Sequence, residues 1–256
     1  MSVRLKFLGI AAFQIFSSEG KSILIDPYIR NNPVCPIKIE DLKSVDLILV
    51  SHGSFDHVGD AAEIAKKYHS KIICGDDCKL LFLEQEVPPE QITETTWGLT
   101  VKYDKIRVRA VESHHRSTVT LKDGTMVSSN PLGFVIYLED NIRIYNASDT
   151  AIFSDLKLIG ELYKPHLGLI NVTKPEFDTS SEGLPIYETG EMTPYEAALA
   201  AQWLNLDYAI ACHYSRKNCP DVKQFMTLLE NMRTDEKPFV KPIALEPGEE
   251  FIYELK

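Results

Sequence analysis

A single stretch of ten residues, Ser51 to Asp60, concentrates the side chains that could carry out chemistry. It contains His52, Asp56 and His57, and imidazole and carboxylate groups are common ligands of zinc and related divalent cations. A metal ion needs such groups to converge on one point, and a short turn after a strand can aim them there. Taken alone, however, two histidines and an aspartate in six residues are more often a polar turn than a metal site.

Three further candidate ligand positions lie elsewhere in the chain, at His114-His115, Asp149 and His213. Each follows an apolar run that predicts a buried strand. Open α/β structures bind ligands at the carboxyl ends of their strands. The repetition of a strand followed by a ligand favours a shared metal site over unrelated polar turns.

The elements that must position these residues alternate between strands and helices. Residues 46–50 predict a buried strand and residues 61–68 predict a helix, so the histidine stretch connects the two. Residues 3–25 predict a meander of short strands. Strands come first and then alternate with helices, and no linker or internal repeat divides the chain. The simplest prediction is a single domain that spans residues 1–256.

The segment of residues 173–191 is rich in Pro, Gly, Ser and Thr and predicts a long loop. Long loops in compact domains are often lids or binding segments. We expect its acidic residues to lie on a solvated surface. Thr193 then predicts the N-cap of a helix with Pro194 at its first position, whereas Glu196 is expected to fall one residue short of a capping box.

Acidic residues outnumber basic ones by 37 to 27, which gives a formal net charge of −10. This balance argues against nucleic acid, whose binding depends on basic patches, and against an anionic membrane surface. The five cysteines have no CxxC spacing. The sequence shows neither a signal peptide nor an apolar run of about 18 residues. We therefore expect a cytoplasmic protein with a small-molecule substrate, and the sequence leaves a homo-oligomer open.

Together these residues resemble the motifs of the metallo-β-lactamase superfamily, over nearly the whole chain and in the same order. They are most similar to the small bacterial and archaeal metal-dependent hydrolases related to ascorbate-phosphate lactonases. The signature His-x-His-x-Asp-His corresponds to residues 52–57. The other motifs correspond, in chain order, to Asp26, to His115 followed by Ser117, to Asp149 and to His213.

The resemblance implies an α/β (α+β) fold, a four-layer αββα sandwich in which helices flank two mixed β-sheets. It also implies a dinuclear metal centre at the edge that the sheets share. The implied ligands are His52, the second signature histidine and His115 for one metal, and Asp56, His57 and His213 for the other. Asp149 would bridge the two metals. Asp26 would orient a ligand imidazole without touching a metal.

The chain departs from the family pattern at one ligand, because Ser54 occupies the position of the second signature histidine. A neutral hydroxyl is a poor replacement for imidazole on Zn²⁺ or Ni²⁺. We therefore expect one firmly bound divalent cation, Zn²⁺ or Mn²⁺ with Ni²⁺ as a further option, beside a weak or vacant second position. Ser54 is expected to lie behind the ligands. His114 is an alternative ligand to its neighbour His115, which we prefer because Ser117 follows it with the family spacing.

The function that the resemblance implies is hydrolysis, in which a metal-bound hydroxide attacks a small ester, lactone or phosphoester. Asp56, His57 and Asp149 would be the catalytic residues, and Asp56 would act as both ligand and proton acceptor. One alternative is a nuclease or phosphodiesterase of the same fold. The other is a non-catalytic metal-binding module in which Ser54 marks a degenerate site.

Overall fold

The computed structural model of the protein describes residues 2–174, 177–179, 185–188, 190–232 and 239–255. The strands are β1 Ser2–Gly9, β2 Ala12–Phe16, β3 Ser22–Ile25, β4 Leu47–Leu49, β5 Lys71–Cys74, β6 Ile92–Glu94, β7 Thr100–Tyr103, β8 Ile106–Glu112, β9 Ser117–Thr120, β10 Met126–Ser129, β11 Leu132–Tyr137, β12 Arg143–Asn146, β13 Leu167–Asn171, β14 Phe177–Thr179, β15 Pro185–Glu188, β16 Tyr208–Cys212, β17 Lys241–Ile243 and β18 Glu250–Glu254. The helices are α1 Phe55–Val58, α2 Ala61–Tyr68, α3 Asp76–Glu84, α4 Leu156–Tyr163, α5 Pro194–Trp203 and α6 Pro220–Asn231. Within the described ranges, none of these helices combines the length and the apolar character needed to cross a bilayer.

The first sheet contains seven strands in the order β18-β1-β2-β3-β4-β5-β6. Strands β1, β2 and β3 form the antiparallel meander predicted from residues 3–25, and β18 pairs antiparallel with β1. From β3 to β6 the strands run parallel. The carboxyl ends of β3 and β4, which precede Asp26 and the histidine stretch, therefore lie side by side.

The second sheet also contains seven strands, in the order β17-β16-β13-β12-β11-β8-β7. Strands β12, β13, β16 and β17 run parallel, whereas β12, β11, β8 and β7 pair antiparallel. Strands β12 and β16 flank β13 and precede Asp149 and His213 in the chain. Their carboxyl ends therefore place these two residues at the same edge of the sheet.

Strand β4 shows how alternate side chains build two separate cores. Leu47 and Leu49 belong to the core between the two sheets, whereas Ile48 and Val50 belong to a second core. Successive side chains of a strand point to opposite faces of the sheet. The second core also contains buried side chains of α2 and α3, such as Ile64. These two helices therefore cover the outer face of the first sheet.

Helices α4, α5 and α6 cover the outer face of the second sheet. Leu156 of α4, Ala201 of α5 and Phe225 of α6 are fully buried and pack in one cluster with the strands of that sheet. The layers are therefore α2 with α3, the first sheet, the second sheet, and α4 to α6. The predicted four-layer αββα sandwich with two mixed sheets is confirmed.

Backbone hydrogen bonds join the two sheets at the edge that carries the candidate ligands. The N–H of Leu132, which begins β11, donates to the carbonyl of Ser51 (2.9 Å). The N–H of His213 donates to the carbonyl of Ile10 (2.7 Å), and the N–H of Ile10 donates to the carbonyl of Tyr214 (3.1 Å). The segment after β4 is thus fixed to the start of β11, and the segment after β16 is fixed to the turn between β1 and β2.

The structure differs from the sequence prediction in its short strands. The segment of residues 173–191, predicted as a loop, contains the antiparallel pair β14 and β15. Residues 175–176, 180–184 and 189 of that segment lie outside the described residues. Strands β6 and β17 are not predicted from the sequence; each has three residues and pairs with one parallel neighbour at an edge of its sheet. Such short runs carry too few residues to show a period.

Candidate metal centre

Asp26 fixes the orientation of His57 from a fully buried position after β3. Its Oδ1 accepts a hydrogen bond from the Ser51 N–H (2.8 Å), and its Oδ2 accepts one from the Ser51 hydroxyl (2.8 Å). The Nδ1 atom of His57 lies 3.0 Å from the same Oδ2. Because an ionised carboxylate can only accept, Nδ1 carries the proton and Nε2 is left to face the site.

Ser54 holds the carboxylate of Asp56 at the start of α1. Its hydroxyl donates to Asp56 Oδ1 (2.6 Å). The other oxygen, Oδ2, lies 3.7 Å from Nε2 of His57 and 3.7 Å from Nε2 of His213. Burial favours the neutral acid, but His213, His57 and the Ser54 hydroxyl outweigh burial and lower the pKa of Asp56 well below its usual value. Ser54 therefore supports a candidate ligand through its hydroxyl.

Asp149 lies at the centre of the cluster. Its Oδ2 is 3.1 Å from His57 Nε2, 3.2 Å from His213 Nε2 and 3.9 Å from His52 Nε2. The preceding Ser148 has a left-handed backbone, with φ of 56°. Burial again favours the neutral acid, yet His213 and His57 lower the pKa of Asp149 well below its usual value. Its Oδ1 is buried and has no hydrogen-bond partner among the described residues.

His213 follows β16 in a left-handed backbone conformation, with φ of 65°. Its N–H donates to Ile10, and its carbonyl accepts a hydrogen bond from the Thr173 hydroxyl. Residues in sparsely populated backbone conformations cluster at functional sites, where the surroundings hold them in place. Burial lowers the pKa of His213, but the carboxylates of Asp149 and Asp56 outweigh burial and raise it to about 10.

We call Asp56, His57, Asp149 and His213 the primary site. The four distances between a histidine Nε2 and a carboxylate Oδ2 in this site are 3.1, 3.2, 3.7 and 3.7 Å. Ligands at bond lengths of about 2.1 Å in tetrahedral geometry lie roughly 3.4 Å apart. The Nε2 atoms of both histidines are buried without a hydrogen bond in the described part of the chain. The primary site therefore fits one divalent cation, and the negative charge of its two carboxylates attracts such a cation.

His52 and His115 lie beside the primary site. The Nδ1 atom of His52 is 3.0 Å from Ser51 Oγ, and its Nε2 has no hydrogen-bond partner within the residues that the structure describes. The His52 ring lies 4.0 Å from the ring of His57 and 5.0 Å from that of His115. Burial, and then the neighbouring His57, lower the pKa of His52 well below its usual value. A neutral imidazole of this kind can bind a cation through its free nitrogen.

His114, the alternative to His115, points away from these groups. Its Nε2 lies 2.8 Å from Glu112 Oε1, and its ring stacks on Phe153 with the centroids 4.5 Å apart. Neighbouring residues on an extended segment point to opposite sides. The structure therefore does not bring His114 together with the other candidate ligands.

Glu191 is a candidate ligand that is not predicted from the sequence. It ends the segment of residues 173–191, whose acidic residues are expected on a solvated surface, yet it is partly buried. Its Oε2 is buried without a hydrogen-bond partner in the described ranges. The sequence does carry one signal, because Glu191 lies two residues before Thr193, where a helix is predicted to start. Its backbone is thus tied to a folded element.

The potential ligand atoms form three groups, and within each group all of the atoms lie within 4.8 Å of one another. The first group is His52, His57 and Asp149; the second is Asp56, His57 and His213; the third is His115, Asp149 and Glu191. Asp149 belongs to two of these groups and so occupies the central position that the resemblance implies for a bridging ligand. His52 is grouped with His57 instead of His115. The structure thus departs from the implied ligand sets at His52 and at Glu191.

A network around Asp77 holds the histidine turn in place, and the sequence analysis does not predict it. The Gly53 N–H donates to the Ser117 hydroxyl (3.0 Å), which in turn donates to the buried carboxylate of Asp77. The Ser129 hydroxyl donates to the same carboxylate (2.6 Å). A Cβ at Gly53 would lie 2.8 Å from the Thr118 carbonyl oxygen, so only glycine allows this approach.

A pocket of about 460 Å³ opens beside the primary site. His213 and Glu191 line it, so a molecule in the pocket contacts the cluster. Arg216 also lines it and is exposed, without an ion-pair partner among the described residues. The other basic residue of the wall, Lys174, is paired with Asp221 (3.6 Å). Arg216 is therefore the side chain available to an anionic ligand.

Comparison with known proteins places this fold and site in a class. A family model described as a β-lactamase superfamily domain matches residues 21–214. Igni18, described as a metallo hydrolase from Ignicoccus hospitalis, has a TM-score of 0.77 at 24% identity, and all of both chains is covered. YhfI from Bacillus subtilis, a metallo-β-lactamase fold protein, has a TM-score of 0.67 at 12% identity and covers 99% of this chain and 100% of its own. At these identities the two structures show the fold alone.

Sequence relatives narrow the class to a family. A protein from Methanobrevibacter smithii named UPF0173 metal-dependent hydrolase is 32% identical over 252 residues, which cover 98% of this chain and 97% of the relative. A protein of the same name from Pyrococcus furiosus is 36% identical over 249 residues, which cover 96% of this chain and 98% of the relative. The chain therefore belongs to the UPF0173 metal-dependent hydrolases of the β-lactamase superfamily. The predicted superfamily resemblance is confirmed.

Proposed function

We propose that the protein hydrolyses a small ester, lactone or phosphoester, using a divalent cation bound at the primary site. Zn²⁺ and Mn²⁺ suit a mixed set of imidazole and carboxylate donors, and Ni²⁺ is a further candidate. The observation that carries the proposal is the convergence of four side chains, from α1 after β4 and from the segments after β12 and β16, with histidine-to-carboxylate separations of 3.1–3.7 Å.

The residues of the chain prepare the site for this reaction. When bound, a divalent cation lowers the pKa of a coordinated water from about 15.7 towards about 7 and so supplies hydroxide. Asp26 holds the ring of His57, and Ser54 holds the carboxylate of Asp56, so both are oriented before a substrate arrives. Asp56 borders the pocket, where it can accept a hydrogen bond from the attacking water and then its proton.

The pocket beside the primary site favours a small, anionic substrate. A guanidinium group binds a carboxylate or phosphate through two parallel hydrogen bonds, and Arg216, which has no ion-pair partner within the described ranges, lines the pocket. Pockets for small molecules have volumes of roughly 300–1,000 Å³, and this one has about 460 Å³. A phosphoester, or a lactone that carries an acidic group, satisfies both features. The net charge of −10 also favours such a substrate over nucleic acid.

The alternative of a non-catalytic module depends on Ser54 as a mark of degeneration. In the structure the Ser54 hydroxyl donates to Asp56, so the substitution gives support to a ligand of the primary site. Hydrolysis is therefore the function that the geometry supports best.

We also propose a single domain of residues 1–256, because β18 completes the sheet that β1 begins. All five cysteines are free, which fits the reducing cytoplasm.

Two substitutions in the primary site test the proposal. Wild type, Asp149→Asn and His213→Ala are loaded with Zn²⁺, Mn²⁺ or Ni²⁺ and assayed against a panel of small esters, lactones and phosphoesters. We expect each variant to lose turnover by at least about 100-fold and to retain less metal. His114→Ala is the control, because His114 lies outside the cluster. This variant should keep the turnover and the metal content of the wild type. Wild-type turnover in the two site variants would refute the mechanism.

A further inference from the structure

Ser54 leaves the position beside the primary site without the imidazole that the family motif supplies. The Ser54 hydroxyl donates its hydrogen to Asp56 Oδ1, and a neutral hydroxyl is a poor replacement for imidazole as a ligand of a second cation. His52 and His115 are still present there, with ring centroids 5.0 Å apart. Asp149 adds its buried Oδ1, which has no hydrogen-bond partner among the described residues. This neighbouring position therefore lacks one ligand.

Glu191 brings a carboxylate to this position from a different part of the chain. One ligand atom each from His115, Asp149 and Glu191 lie within 4.8 Å of one another. The Oε2 atom of Glu191 and the Oδ1 atom of Asp149 are both buried without a hydrogen-bond partner in the part of the chain that is described. Burying unpaired carboxylate oxygens is costly, and a cation between them removes that cost.

The backbone around Glu191 is held against the site. A Cβ at Gly190 would lie 3.4 Å from His115 Nδ1, so the chain runs directly past that ring. On the other side, Met192 is fully buried. With its amide oriented to satisfy both neighbours, Asn171 accepts a hydrogen bond from the Met192 N–H (3.0 Å) and donates to the Ser148 carbonyl (3.1 Å). Asn171 thus connects the residues next to Glu191 and Asp149.

The start of α5 fixes the same segment from its other end. The Thr193 hydroxyl accepts a hydrogen bond from the Glu196 N–H (3.3 Å), and the Glu196 carboxylate accepts one from the Thr193 N–H (2.9 Å). This is a complete capping box. The expectation that Glu196 falls one residue short is wrong, because it is the third residue of the helix. Glu191 is therefore carried by a short, anchored connection.

We infer that Glu191 replaces the missing signature imidazole as a ligand and completes a second cation position with His115 and Asp149. His52, through its free Nε2, is the further nitrogen donor available there. Because carboxylate ligands suit harder cations, this position accepts Mn²⁺ more readily than a site built from imidazole alone. The inference rests on the proposed function in one respect, since Asp149 is shared with the primary site. It replaces the expectation of a weak or vacant second position.

Metal counting tests the inference without an activity assay. Wild type and Glu191→Gln are stripped with a chelator, dialysed against Mn²⁺ and measured by mass spectrometry of the metal. We expect about two Mn²⁺ per wild-type chain and about one per Glu191→Gln chain, with affinity for the second ion reduced by at least about 100-fold. Electron paramagnetic resonance should show a coupled Mn²⁺ pair in wild type and an isolated ion in the variant.

Two further variants separate the possible failures. Glu112→Gln is the matched control, because Glu112 contacts His114 outside the cluster, and it should keep about two ions. A Glu191→Gln chain that binds as many ions as wild type overturns the inference. The inference is also overturned if the wild-type chain binds a single ion and His213→Ala loses that ion. This result would still support a cation at the primary site. A wild type that retains no cation overturns both proposals.

Discussion

Two ligands of the primary site, His57 and Asp56, each have one polar atom held by the protein and the other left to face the cluster. His57 gives Nδ1 to Asp26 and keeps Nε2, and Asp56 accepts at Oδ1 from Ser54 and keeps Oδ2. A buried polar atom without a partner costs free energy, and the folded chain tolerates it where a ligand later provides the partner. The free atoms therefore indicate where a cation binds.

Replacing Ser54 with alanine removes the hydrogen bond to Asp56 Oδ1. Hydrogen bonds to charged groups contribute about 1.5–3 kcal/mol, so we expect the affinity of the primary site for its cation to fall roughly tenfold or more. Ser54→Thr keeps the hydroxyl and serves as the control. Competition against a chromophoric chelator measures both affinities. If Ser54→Ala binds the cation as tightly as wild type, the hydroxyl has no part in holding the ligand.

Replacing Arg216 with methionine removes the guanidinium from the pocket wall and keeps much of the side-chain volume. We expect KM for an anionic substrate to rise by roughly 10-fold or more, with kcat nearly unchanged, because the lost contact is made to a part of the substrate that does not react. Lys217→Met is the matched control, since Lys217 is paired with Glu249 (3.0 Å). Equal KM values for Arg216→Met and wild type would exclude an anion contact at this position.

At the scale of elements, hydrophobic patterns predict the strands that deliver the ligands. The apolar run of residues 46–50 predicts a buried strand, and the structure shows Leu47 and Leu49 in one core and Ile48 in the other. The polar residues that follow β3, β4, β12 and β16 are predictable for the same reason. The end of a strand can be recognised from the local sequence. When neighbouring strands are parallel, their carboxyl ends lie at the same edge of the sheet, so the residues that follow them are expected to lie close together.

The approach of Glu191 to His115 is not predictable from such patterns. It depends on Gly190 passing the His115 ring and on Asn171 bonding to Met192, which are contacts between segments far apart in the chain. The role of Ser54 is different, since its partner lies two residues away. The sequence allows that bond, but it does not distinguish a supporting hydroxyl from a lost ligand.

Asp77 of α3 connects the histidine turn to the ribbon of β9 and β10. In Asp77→Ala the hydroxyls of Ser117 and Ser129 lose their acceptor in a buried place. Leaving buried polar groups unsatisfied costs about 1–3 kcal/mol, so we expect the free energy of unfolding in urea to fall by about that amount and cation affinity to fall with it. Asp76→Ala, at the exposed neighbouring position of the same helix, is the control. Equal stability of the two variants would refute the role given to Asp77.

At the scale of the whole molecule, the primary site draws its ligands from both sheets. Asp56 and His57 follow β4 of the first sheet, whereas Asp149 and His213 follow β12 and β16 of the second. A cation that binds all of them therefore links the two halves of the sandwich. In the unfolded chain these residues are up to 157 positions apart (213 − 56 = 157), so binding and folding are coupled.

Removing the cation should therefore lower the thermal stability of the whole fold. A ligand at 100 times its Kd stabilises the native state by about 2.7 kcal/mol. Each kcal/mol shifts Tm by about 2–4 °C in a domain of this size, so we expect chelation to lower the wild-type Tm by about 5–10 °C. His213→Ala should show a smaller difference between its chelated and metal-loaded forms, because one of the two ligands from the second sheet is missing. Differential scanning calorimetry measures all four Tm values. If chelation leaves the wild-type Tm unchanged, no cation links the two sheets.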